Sequence, residues 1–363
     1  MNKKNIFEKG INKLYNTKID WVLMFLVVAI MGLSLIPMYT LTFMFNELFI
    51  KKIIYSLIGV IIIICLVLFD YRKLEKLGLF LYLSSVMMML WIGIFGMGSQ
   101  KIWYIGNIRI DLMFSLLFIY LAWASILQHR DKYPMSILHL LFWIPILLYL
   151  WNGYYLYAVI YFITILILMN IDNIKNSQYK FRGFIGITLI IAIILSSVLF
   201  SFLSPYQKEG FQAFLYPEEY KDTLNYQRFI SRETIINAEW LGQSYTSEQI
   251  KKLSEPHTYF ILPYIIYVFG WSGGLLLALV FFFFTFRLIQ IAIKAHHPHG
   301  KLIVIGGLTI FLISTFTNVL MSVTFLPFAS ISLPFVSHGG QQLIFYSIIV
   351  GLIMSVYRHE RLK

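Results

Sequence analysis

The sequence has a single cysteine, Cys65, so no disulfide can close within the chain. Charge is scarce too. Asp, Glu, Lys and Arg make up 13% of the 363 residues, where a soluble domain carries about 25%. That shortage excludes an ordinary water-soluble globular protein. Gly-rich phosphate motifs, Ser/His/Asp sets and CxxC pairs are also missing. What remains is apolar: 59% of the residues are hydrophobic, and they gather in long runs. Runs of that length cross a bilayer as helices, so the chain reads as an all-α polytopic membrane protein. Cys65 lies inside one such run and reads as a small buried apolar residue.

Ten spans are read, at about 20–42, 52–69, 77–97, 111–127, 136–151, 153–169, 183–203, 271–293, 302–326 and 340–357. The net charge of +12 would suggest nucleic acid only if its placement were ignored. With the N-terminus in the cytoplasm, most Lys and Arg fall on the inner side, among them Lys9, Arg72, Arg130, Lys180, Arg287 and Arg358. An even span count returns the C-terminus to the cytoplasm. The bias fits a bacterial-type plasma membrane or any membrane obeying the same rule, and 1–363 reads as one integral membrane domain. Residues 1–19 form a cytoplasmic tail. Phe7, Ile11 and Leu14 among its lysines predict either an interfacial helix or a solvated tail.

Residues 204–257 form a long extracytoplasmic loop between spans seven and eight. Short helices are expected in it at 231–240 and in a stretch running through Leu253, which Thr246-Ser247-Glu248 can cap. Residues 258–269 are apolar and contain Pro263; Gly270, Gly273 and Gly274 follow. The pattern predicts a short re-entrant or surface helix, a glycine break, and then span eight.

The stretch with the most to explain is 332–342, SLPFVSHGGQQ. Pro334 removes a backbone donor and Gly339–Gly340 frees the backbone, yet no charged residue is present. Such backbone fits a loop tucked into the mouth of a cavity, or else an ordinary apolar turn.

These residues resemble one family. Asn318, Leu326-Pro327, Ser332 through Gly340, Gly351 and Arg358 are similar to the C-terminal signature of the SEDS proteins (RodA, FtsW and SpoVE). Glu255-Pro256-His257-Thr258-Tyr259 with Gly270 and Gly273 is a second match; Gly98 to Lys101 with Trp103 is a weaker third. The resemblance implies a role in peptidoglycan assembly during elongation, division or sporulation. It implies glycosyltransfer from lipid II, the undecaprenyl-linked precursor, beside a class B penicillin-binding protein and membrane lipid, with no nucleic acid. It also places substrate near Lys101, Trp103, Arg109, His257, Thr258, Pro334, Ser337, His338, Gly339 and Gly340.

The family's key acid is an Asp directly after His-Thr, and here Tyr259 stands there. A tyrosine with a pKa near 10 is a poor base at neutral pH. Other family carboxylates are absent too: Ile266-Tyr267-Val268 replaces an acidic pair, and Asp111-Leu112-Met113 a Pro-Ser-Glu. Glu255, four residues before Tyr259 and so one helical turn away, is the candidate substitute base. Three alternatives stay open: a working enzyme, a catalytically inactive regulator or scaffold, and a transporter of lipid-linked precursor. A divalent cation enters only with catalysis. No metal site is read, since Pro298 disrupts the spacing of the His296–His299 tract.

Overall fold

The computed structural model describes residues 19–44, 47–98, 101–106, 108–110, 112–173, 186–188, 191, 209, 212–328 and 330–361. The N-terminal tail, most of the seventh expected span at 183–203, and Asp111 lie outside the described residues.

Helices dominate. They are α1 (Trp21–Thr40), α2 (Leu48–Leu68), α3 (Gly78–Phe95), α4 (Met113–Gln128), α5 (Met135–Trp151) and α6 (Tyr155–Asn173). After them come α7 (Tyr226–Ile236), α8 (Glu248–Lys252), α9 (Ile261–Lys294), α10 (Pro298–Ser322) and α11 (Gly340–Arg361). Six described segments are long and apolar enough to cross a membrane, and α4, α5 and α6 are shorter apolar helices. The chain is not wholly α. Trp103–Ile105 (β1) and Ile108–Ile110 (β2) pair antiparallel as a small hairpin before α4. Three-residue strands are too short for an alternating pattern to reveal them.

Helix α4 forms the centre, with nearly every residue buried. Trp123 on it donates from Nε1 to the Tyr161 hydroxyl at 2.9 Å, so even its polar edge is satisfied. α11 lies along α2, and small residues set the separation. A Cβ on Gly351 would stand 2.8 Å from Leu66 Cβ and 3.3 Å from Ile63 Cα. Such contacts let helices pack closely where lipid offers no hydrophobic drive. Asp20 caps α1 through Leu23 N–H at 3.1 Å and accepts from Arg287 Nε at 2.8 Å. That pair ties the starts of α1 and the chain's second half together. Cys65 is exposed on α2 rather than buried, because the outer face of this helix turns away from the bundle.

Helix α9 breaks at Gly270, whose φ of 76° and ψ of 175° suit only glycine. Residues 261–269 are buried on almost every side, so this piece is enclosed by protein and does not lie on a surface. In the long loop, Ser247 does cap α8, accepting from Ile250 N–H at 3.4 Å. The other loop helix runs earlier than expected, over Tyr226–Ile236.

Candidate functional site

Residues 332–339 form a buried turn instead of a continuation of either flanking helix. Val336 and Ser337 N–H both donate to Leu333 O, at 3.2 and 3.1 Å. Phe335 takes a positive φ of 62°. A non-glycine residue held there costs of order 1 kcal/mol or more, so surrounding bonds must fix it.

The fixing group is Lys52. Its side chain is 1% exposed. Nζ donates to Phe335 O at 2.6 Å, Ser337 O at 2.9 Å and Val336 O at 3.1 Å. The ammonium has three donors and all three are used on one turn. Sequence reading did not single out Lys52, which sits beside Lys51 at the start of an apolar run and resembles an interfacial pair. The available signal was the rule that an ionisable residue inside a span has a function by default.

Two more side chains join the turn to the segment before α9. Ser337 Oγ donates to Thr258 O at 2.6 Å, and His338 N–H donates to His257 O at 2.7 Å. Asn318 Nδ2 reaches Ile331 O at 2.9 Å and Tyr259 O at 3.0 Å. The two strongest sequence matches are thus one structural unit.

Beside this unit opens a cavity of about 520 Å³. Of the expected site residues, Arg109, Thr258, Tyr259, His338, Gly339 and Gly340 line it. Tyr55, Tyr154, Tyr157 and Gln342 also line it, and sequence reading proposed none of them as site residues. Ser332 Oγ donates to Gln342 Oε1, closing the turn onto the first coil of α11. Burial, with the charges of Lys52, His257 and Lys51, pushes the His338 pKa down to about 4. His338 is therefore neutral at pH 7.

The other expected residues stand elsewhere. Pro334 and Ser337 are buried behind the wall. Lys101 donates from Nζ to Gly93 O at 2.5 Å and lies 4.1 Å from the Trp151 ring centroid. Trp103 packs edge-on against Trp91. His257 supplies its carbonyl and an edge-to-face contact with His338. Glu255 is exposed, at a φ of 43°, and its carboxylate accepts from Thr258 Oγ1 at 2.7 Å. It lies in a turn, not a helix, so the one-turn spacing to Tyr259 assumed from sequence does not hold.

Among the described residues, no Asp or Glu lines the cavity, and no three His, Cys, Asp or Glu side chains are placed to hold a metal. The lining offers hydroxyls, amides and a guanidinium. Such a wall binds a polar, anionic group well. Among its described residues it holds no carboxylate that could act as a base.

A family model described as "Cell cycle protein", covering FtsW, RodA and SpoVE, matches residues 14–362. The Stage V sporulation protein E of Bacillus subtilis is 26% identical, over 54% of this chain and 53% of its own length. The peptidoglycan glycosyltransferase MrdB of Escherichia coli K12 is 28% identical, over 49% of each chain. The chain thus spans about half the length of these two relatives. The probable peptidoglycan glycosyltransferase FtsW of Bacillus subtilis is 26% identical over 93% of this chain and 90% of its own. A chain from a peptidoglycan synthase complex that coordinates polymerization and crosslinking superposes with a TM-score of 0.79 at 19% identity, covering 95% of this chain and 99% of that one. The rod shape determining protein RodA of Thermus thermophilus gives 0.67 at 16% identity, over 94% and 98%. At those identities the structural matches show the fold.

Proposed function

The chain belongs to the FtsW/RodA/SpoVE family and is a multi-pass membrane protein, and from that premise we propose that it acts in peptidoglycan assembly by binding lipid II. The observation that carries this is the cavity itself. It is walled by the family's signature turn, yet Tyr259 stands where the family acid would be and no described carboxylate lines it. Such a wall binds precursor without deprotonating an acceptor sugar. The partner in this reading is a class B penicillin-binding protein, which the protein regulates or scaffolds.

The topology we infer has ten spans and both termini in the cytoplasm, with 204–257 outside. The described apolar helices supply nine of the ten positions, and RodA-like chains support the arrangement. The apolar slot of about 120 Å³ between α1 and the break in α9 suits the lipid end of such a ligand.

Polymerisation by variants tests the chemical half of this reading. Glu255→Gln leaves activity where it was, because Glu255 is exposed and bonded to Thr258. Tyr259→Asp restores strand synthesis from labelled lipid II. Strand synthesis by the wild type, abolished in Glu255→Gln, would show a rebuilt active site and defeat the proposal. A divalent cation belongs to that outcome only.

A further inference from the structure

Between α7 and α8 the loop carries a bare apolar pair. Trp240 is 69% exposed and Leu241 89%. Their backbone is not adrift. Trp271 N–H donates to Glu239 O at 3.1 Å, Ser272 N–H to Trp240 O at 3.2 Å, and Gln243 N–H to Tyr267 O at 2.9 Å. Gly242, at a φ of 90°, and Gly270, at 76°, let the two backbones meet. A Cβ on Gly270 would stand 2.6 Å from Gly242 N. The loop is thereby fastened to the first turn of the helix that follows the break.

That helix fixes the depth of the pair. Residues 271–294 span about 36 Å at 1.5 Å per residue, against a hydrocarbon core of about 30 Å. Trp271 therefore stands within about one turn of the core's edge. Below it, Leu275, Leu276 and Leu279 are all about half exposed and form part of an apolar outer face. Trp240 and Leu241 share the level of Trp271, the level where tryptophan gathers in membrane proteins. Irregular backbone at that depth needs polar partners, and the three main-chain bonds supply them for Glu239 O, Trp240 O and Gln243 N–H.

We propose that Trp240 and Leu241 insert into the membrane interface and anchor the long loop to lipid. The loop's other attachment is polar. Arg228 Nη2 donates to Thr324 O at 2.8 Å and Ser231 Oγ to Ser322 O at 2.7 Å, docking α7 on the end of α10. Lipid on one side and α10 on the other hold the loop at a set height near the cavity. The occupant is lipid because the pair continues the exposed face of a spanning helix.

Only one native cysteine, Cys65, has to be removed for the test. In full-length Cys65→Ser protein, a nitroxide is attached at Leu241→Cys and, in a second sample, at Glu219→Cys, an exposed loop position. Both are reconstituted in phosphatidylcholine/phosphatidylglycerol vesicles, and power saturation compares collisions with oxygen and with a water-soluble nickel chelate. The expected oxygen-to-nickel ratio at 241 is several-fold higher than at 219. Equal ratios would place the loop in water and overturn the proposal. Low accessibility to both reagents would mean coverage by protein, a second copy, and would overturn it as well. If the labelled protein folds poorly, brominated-lipid quenching of wild type against Trp240→Phe decides: the quenched share of tryptophan emission falls in the variant. An unchanged share contradicts lipid contact.

Discussion

Two parts of the C-terminal signature are held by different forces. The turn at 332–339 is fixed by polar side chains bonded to backbone: Lys52, Asn318 and Ser337. Helix α11, only residues away, is held along α2 mainly by apolar contact, with Gly351 and Gly59 allowing close approach; polar side chains reach α2 at its end, where Arg358 Nη1 donates to Val67 O at 2.9 Å and Ser355 Oγ to Phe69 O. A helix satisfies its own backbone, so packing is enough. An irregular turn at membrane depth does not, so each of its carbonyls needs a donor. Polar attachment therefore marks where a helix is interrupted or ends, and backbone carbonyls lack helical partners.

The comparison breaks most readily at Lys52. Lys52→Met leaves three buried carbonyls without their donor, and the expected loss is about 3 kcal/mol or more of stability. Thermal unfolding in detergent should show it, with lipid II binding lost in the protein that remains folded. Lys52→Arg, which keeps charge and donors, should recover part of both. If Lys52→Met melts like wild type, the turn is not held by this residue.

Asn318→Ala comes next. It removes the donor to Tyr259 O and Ile331 O, for an expected cost of about 2 kcal/mol. Binding should weaken with it, because Tyr259 lines the cavity. Gly351→Ala sharpens the contrast. Its new methyl meets Leu66 in the α2–α11 seam, and overpacking of this kind costs about 1 kcal/mol. Here the melting point falls while binding per folded molecule is retained.

A separate effect is that of pH on His338. Its pKa, ordinarily near 6.5, lies at about 4 in the fold because of burial and nearby positive charge. The unfolded chain therefore takes up the proton first as pH falls. Stability that is complete above pH 6.5 is lost progressively between 6.5 and 4, so the slope is towards greater stability with rising pH. His338→Gln should flatten that part of the stability–pH curve, measured by detergent melts across the range.

Legibility in the sequence followed how local each signal was. Pro334 and Gly339–Gly340 announced an interrupted helix, since proline and glycine act on their own backbone. Gly270 announced the break in α9, and Ser247 the cap of α8, for the same reason. Lys52 was missed because its partners lie 283 to 285 residues away and nothing near it in sequence shows them. Tyr154 and Tyr157 reach the cavity only through the packing of α6 beside α4 and α10. Glu255 was given helical spacing to Tyr259, and the turn there removes it. Spacing is informative only once the secondary structure is known.

The most direct test of the central claim is to present fluorescent lipid II to the purified wild-type protein in lipid nanodiscs, measuring binding and polymer in the same sample. The account predicts saturable binding with no glycan strands, with or without a class B penicillin-binding protein blocked in crosslinking. Strands made by the wild type, or no binding at all, would contradict it.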